Sequence, residues 1–151
     1  VLSGVRMVRH LVPGMKERGF GRVVFLSTVG SARPRAQMPG YYASKATLAN
    51  MTVSLSKELS GSGVTVNTVS PGLIATDEVR AMVESRARRD GLEGSFDEVE
   101  ARVTESFMKT PSGRIARTEE VGALVAFLCS PLAASVNGAD LRIDGGAADC
   151  V

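Results

Sequence analysis

Tyr41 and Lys45 stand four positions apart in the stretch Gly40-Tyr41-Tyr42-Ala43-Ser44-Lys45, and this spacing is where chemistry first becomes legible. On a helix, residues i and i+4 project from one face, so a phenol and an ammonium would share a surface. A phenol, with a reference pKa near 10, is a poor proton donor or acceptor at neutral pH. A neighbouring cation favours the phenolate and makes proton transfer feasible. Shifting such a group by ~3 units takes roughly 4 kcal/mol of differential interaction. One solvated pair supplies less than that, so more positive charge is needed nearby. An isolated Y-x-x-x-K is usually an exposed Tyr and a surface Lys. The surrounding elements decide otherwise here.

Those elements alternate between strand and helix patterns. Residues 1–18 carry Val5, Val8, Leu11, Val12 and Met15 at helical spacing, and Pro13-Gly14 is expected to break or kink that helix. Arg22 to Ser27 is a continuous apolar run, the pattern of a parallel strand covered on both faces. A helix from about Tyr41 to Leu59 lines up Leu48, Met51, Thr52, Leu55 and Leu59 on one side, and Gly61 and Gly63 end it. Val64 to Val69 is a second strand, stopped by Ser70-Pro71-Gly72. Strand, helix and strand predict a right-handed parallel β-α-β unit.

Residues 73–117 differ in character. Val79, Met82 and Val83 mark one short helix, and Ser95-Phe96-Asp97-Glu98 opens a second that continues through Val99, Val103 and Phe107. This helical insertion follows a strand's carboxyl end, where open α/β sheets bind ligands. It is therefore expected to be a substrate lid. Thr118 with Glu119 and Glu120 opens the last helix, with Val121, Leu124, Val125 and Leu128 as its buried stripe and Ser130-Pro131 at its end. Ala139 to Asp144 reads as a third strand.

Composition excludes several function classes. At 151 residues, 44% hydrophobic and 23% charged, the chain fits one α/β domain or part of one. A net charge of +2 makes no electrostatic case for nucleic acid or an anionic membrane. Arg86, Arg88 and Arg89 read as a solvated helix face. No apolar run approaches the ~20 residues of a membrane span. Cys129 and Cys150 have neither metal nor redox spacing, so no metal site and a reduced, cytoplasmic setting are expected. His10 reads as a surface or packing residue.

Four stretches, in this order, resemble the carboxyl-terminal part of a short-chain dehydrogenase/reductase of the 3-oxoacyl-carrier-protein reductase kind. They are Gly21 to Thr28, Tyr41-x-x-x-Lys45, Asn67 to Thr76 (Asn-Thr-Val-Ser-Pro-Gly-Leu-Ile-Ala-Thr) and Asn137 to Gly146. The resemblance spans essentially the whole chain. It implies a Rossmann-type doubly wound parallel sheet, here three strands with crossover helices plus the lid at about 73–117. It also implies hydride transfer between a nicotinamide cofactor, NAD or NADP, and a small alcohol or carbonyl substrate.

Under that resemblance Tyr41 is the general acid/base, and Lys45 assists it and binds the nicotinamide ribose. The oxidised nicotinamide supplies the extra positive charge. Pro71, Gly72, Ile74 and Thr76 join Tyr41 and Lys45 as cofactor-binding residues. The family usually has a Ser as the polarising hydroxyl, and its spacing falls on Thr28 (41 − 28 = 13). Thr keeps the donor but adds a methyl and a stiffer χ1. Ser27 is the alternative, although strand alternation aims it at the opposite face. Val29, Met38, Met82, Phe107 and Met108 are candidates for an apolar substrate lining.

The family's glycine-rich pyrophosphate turn has no counterpart in this sequence. The chain is therefore expected to be a fragment, cut within a helix and inactive by itself. A homodimer or homotetramer through residues 1–18 and 41–60 is expected of the full-length protein. The rival reading is a truncated, catalytically inactive homologue that keeps only those oligomerisation surfaces.

Overall fold

The computed structural model describes residues 1–105 and 109–149. Its elements are α1 (Leu2–Glu17), β1 (Gly21–Leu26), α2 (Pro39–Glu58), β2 (Val64–Pro71), α3 (Asp77–Arg89), α4 (Phe96–Glu105), α5 (Thr118–Cys129) and β3 (Asp140–Ile143). The three strands are parallel in the order β1-β2-β3. Register pairs Val23 with Val66 and Phe25 with Thr68, so alternate side chains of both strands face the same way. On one face Phe25, Val64 and Val66 meet Val12 of α1 and Leu48 of α2. On the other, Val24 and Val69 meet Leu128 and the apolar stripe of α5. Helices thus cover both faces of a parallel sheet, the doubly wound α/β arrangement.

Two details depart from the sequence pattern. Helix α1 runs unbroken through Pro13 to Glu17. Proline removes one N–H and crowds the preceding turn, but Val8, Val12 and Met15 remain packed on the sheet-facing cluster. That burial holds the last turn in place. Helix α2 begins at Pro39, two residues before Tyr41. Proline's fixed φ suits the first helical turn, where its missing N–H goes unused.

Strand β1 is an edge: among the described residues it pairs only with β2, and Leu26 at its end is half exposed. Unpaired N–H and C=O groups on such an edge are a template for further strand pairing. Residues 1–151 expressed alone are expected to self-associate, as read by light scattering after size-exclusion chromatography. A monodisperse monomer that unfolds cooperatively would refute this.

The insertion after β2 has a core of its own. Ala75, Val83, Ala87, Phe96, Val99, Val103 and Ile115 form one buried cluster, with Leu73, Val79 and Leu92 against it. Its neck is closed by a parallel bridge between Ile74 and Ala116, with Ala75 N–H donating to the Ala116 carbonyl at 2.9 Å. Arg117, at the N-cap of α5, reaches across that neck. Its guanidinium donates to Glu100 Oε1 at 2.5 Å and Oε2 at 2.8 Å, and to Asp97 Oδ1 at 2.9 Å. Glu100 is 2% exposed, so this is a buried bidentate ion pair. The bond to Glu100 is the main reason the Arg117 pKa is raised. Arg114 and the Arg117 N–H both donate to Glu120, pulling its carboxyl down to about 2. The lid's two helices are thereby tied to the start of α5.

Candidate active site

A cleft of about 810 Å³ opens beyond the carboxyl ends of the strands. Residues that follow each of the three strands line it: Thr28 after β1, Gly72 after β2 and Gly146 after β3. Helix α2 contributes Tyr41 and Tyr42. Its position on the sheet is held by a buried hydrogen bond between the Thr52 and Thr68 hydroxyls at 2.6 Å. The carboxyl end of a parallel sheet is where open α/β folds place ligands.

The two adjacent hydroxyls at the end of β1 part company. Ser27 continues the ladder, its N–H donating to the Val69 carbonyl at 2.8 Å. Its Oγ points under α2 and donates to the Lys45 carbonyl at 2.9 Å, and the residue is 6% exposed. Thr28, on the opposite face, lines the cleft. Its Oγ1 accepts from Gly30 N–H at 3.3 Å, which leaves the hydroxyl proton available for donation.

Tyr41 lines the cleft and is 45% exposed. Lys45 stands one turn on, its Nζ 5.9 Å from the centre of the Tyr41 ring and donating to the Leu26 carbonyl at 2.8 Å. Tyr42 packs edge-on against Tyr41, with ring centres 5.4 Å apart. It lies under Gly30, where any Cβ would come within 2.2 Å of the Tyr42 ring. Glycine is required there for the loop to pass over the ring.

The remaining predicted positions are placed less uniformly. Gly72 lines the cleft, and its N–H donates to the Ile143 carbonyl at 3.1 Å. A Cβ on it would meet Asp144 Cβ at 2.8 Å. Pro71, the last residue of β2, and Ile74 and Thr76 just beyond it do not line this cleft. Pro71 pairs with Ile143 in the sheet, Ile74 forms the neck bridge, and Thr76 caps α3 by accepting from Val79 N–H at 3.4 Å. Val29 and Met38 line the cleft and Met82 does not. Phe107, Met108 and Cys150 lie outside the described residues.

Sequence reasoning missed the carboxyl-terminal tail and the cleft's cations. Asp144 accepts from Gly146 and Ala148 N–H at 3.0 and 2.8 Å, turning Gly146 to Asp149 along the cleft. The pair Gly145-Gly146 was the available signal for such a turn. Arg33, Arg35 and Lys109 also line the cleft, from loops that carry no periodic pattern.

Comparison with known proteins agrees with this fold. A family model described as enoyl-(acyl carrier protein) reductase matches residues 1–148. The oxidoreductase YvaG of Bacillus subtilis is 38% identical over 97% of this chain and 55% of its own length. D-beta-hydroxybutyrate dehydrogenase of Cupriavidus necator is 34% identical over 95% of this chain and 54% of its own. L-Sorbose reductase from Gluconobacter frateurii, solved with NADPH and L-sorbose, superposes with a TM-score of 0.85 at 29% identity, over 100% of this chain and 56% of that one. The chain spans about half the length of the curated relatives it matches. With a parallel doubly wound sheet, Y-x-x-x-K on α2 and a family match across nearly every residue, the chain belongs to the short-chain dehydrogenase/reductase family.

Proposed function

We propose that this chain carries the catalytic part of an NAD(P)-dependent oxidoreductase that interconverts an alcohol and a carbonyl compound. The observation that carries the reading is the convergence of Thr28, just after β1, and Tyr41, on α2, on one cleft beyond the strands' carboxyl ends. Tyr41 Oη gives a proton to the substrate oxygen in reduction and takes it back in oxidation. The Thr28 hydroxyl donates to the same oxygen and holds it in place. The Lys45 ammonium, held at the end of β1, favours the deprotonated phenol by its charge and donates to ribose hydroxyls.

The residues present fit the nicotinamide end of the nucleotide. Gly72 leaves its stretch of the cleft wall bare of side chain, and Pro71, Ile74 and Thr76 lie next to it in the chain, outside the cleft's lining. When bound, the nicotinamide donates or accepts the hydride. The insertion that bears α3 and α4 reaches the cleft through Leu73, Lys109 and Pro111. Exposed Leu2, Met7 and Leu11 on α1 and Val53 on α2 favour a homo-oligomer formed through those helices.

The test is NAD(P)H oxidation by the full-length gene product across a panel of ketones and 3-oxo compounds. Absence of turnover with every member would overturn the reading and favour the inactive homologue. The choice of hydroxyl has a separate test. Thr28→Ser is expected to keep activity, and Thr28→Val to lose about tenfold or more, within the range for a donor to the reacting oxygen. A damaging Ser27→Ala with a tolerated Thr28→Val would move the role to Ser27.

A further inference from the structure

We infer that Tyr42 is a positioning residue: its ring is the spacer that sets where the Thr28 hydroxyl sits relative to Tyr41. The inference rests on the oxidoreductase reading and adds the device that aligns the two hydroxyls. These come from different elements, Thr28 from the loop after β1 and Tyr41 from α2. A contact between those elements must therefore fix their spacing, because a misplacement of about 1 Å already slows a positioned reaction.

Thr28 belongs to a turn that is tied to itself. The Ser31 N–H and Oγ both donate to the Thr28 carbonyl, at 2.9 and 2.7 Å, and the Gly30 N–H donates to Thr28 Oγ1 at 3.3 Å. Thr28 to Ser31 is thus one unit, and its place depends on what it rests against. It rests on Tyr42. Gly30 lies so close to one edge of the Tyr42 ring that an added Cβ would overlap Cδ1 and Cε1.

The same ring orients Tyr41. Tyr42 is 9% exposed and Tyr41 is 45% exposed, so the buried ring is the fixed member of the pair. The two meet edge-on at an interplanar angle of 67°, the arrangement that aromatic quadrupoles favour. Contacts therefore run from Thr28 through Gly30 and Tyr42 to Tyr41. A ring that only filled space beneath the loop would support stability without any coupling to the Thr28 hydroxyl.

The experiment uses the full-length gene product with a carbonyl compound that it reduces. Tyr42→Leu is expected to lower kcat by about ten- to a hundredfold, the scale of a small misplacement, with nucleotide affinity close to wild type. Tyr42→Phe keeps the ring and should stay close to wild type. The decisive measurement combines Tyr42→Leu with Thr28→Val. If the ring acts by placing that hydroxyl, the joint loss falls well short of the product of the two single losses. Gly30→Ala presses on the same contact from the loop and should also lower kcat. Gly30 is not among the glycines with positive φ, so alanine there meets the ring and no backbone strain, and it serves as the test if Tyr42→Leu does not fold. Near-normal kcat in Tyr42→Leu or in Gly30→Ala would overturn the inference, as would single losses that multiply in full. An equal loss in Tyr42→Phe would also overturn it, by giving the role to the hydroxyl. In each of these cases the wild-type protein still turns over and the oxidoreductase reading stands. A wild-type protein that turns over no carbonyl compound would overturn the reading and the inference together.

Discussion

Tyr41→Phe is expected to lower kcat of the full-length gene product by about 10²–10⁴-fold, the usual contribution of a positioned proton-transfer group, with nucleotide affinity close to wild type. The substitution deletes one oxygen and keeps the ring, so the edge-on contact with Tyr42 at 5.4 Å survives. Because Tyr41 is 45% exposed, the loss of its hydroxyl leaves no buried group without a partner. A fall in rate would therefore report chemistry rather than folding. Steady-state kinetics with a nucleotide titration separates the two. A variant with near-normal kcat would remove Tyr41 from the mechanism. Tyr42→Phe is the matched comparison, since its ring packs beneath Gly30 and its effect on rate should be far smaller.

Arg117→Leu is expected to destabilise the lid by about 3–5 kcal/mol, because it strands a buried carboxylate. Glu100 is 2% exposed, and both of its oxygens accept from Arg117. Removing the guanidinium leaves that charge in an apolar surround next to Phe96, Val99 and Val103. Replacing both partners, as Arg117→Leu with Glu100→Leu, should recover most of the loss, since a well-packed apolar pair can substitute for a buried ion pair. Amide hydrogen exchange within α3 and α4 reads the local effect, and urea unfolding reads the global one. Equal protection of α4 in the wild-type and Arg117→Leu proteins would show that the ion pair does not hold the lid. Asp97, 74% exposed at its side chain, should matter little when replaced by Asn.

How much of this was legible beforehand varies by element. The strands and crossover helix were readable because apolar runs and helical stripes are local records of which face is buried. The opposite facing of Ser27 and Thr28 was readable for a similar reason. Alternation is a property of the strand itself, and the structure buries Ser27 beneath Lys45 while Thr28 lines the cleft. The continuity of α1 through Pro13 was not readable. A proline's local penalty competes with burial of Val12 and Met15 on the sheet, and only the packed sheet reveals which term wins.

The sequence by itself determined the alternation of strand and helix, the family resemblance and the spacing of Tyr41 and Lys45 on one helix. These follow from residue type and short-range spacing, which the chain carries before it folds. Tertiary structure alone decided which distant groups meet. Arg117 grips Glu100 across 17 positions, and a tail bent by Asp144 brings Asp149 to Arg33. Arg35 and Lys109 arrive at one cleft from separate loops. Contacts of that kind depend on the path of the backbone between the partners. No periodicity encodes that path, because it is settled by packing the lid's core and the two faces of the sheet together.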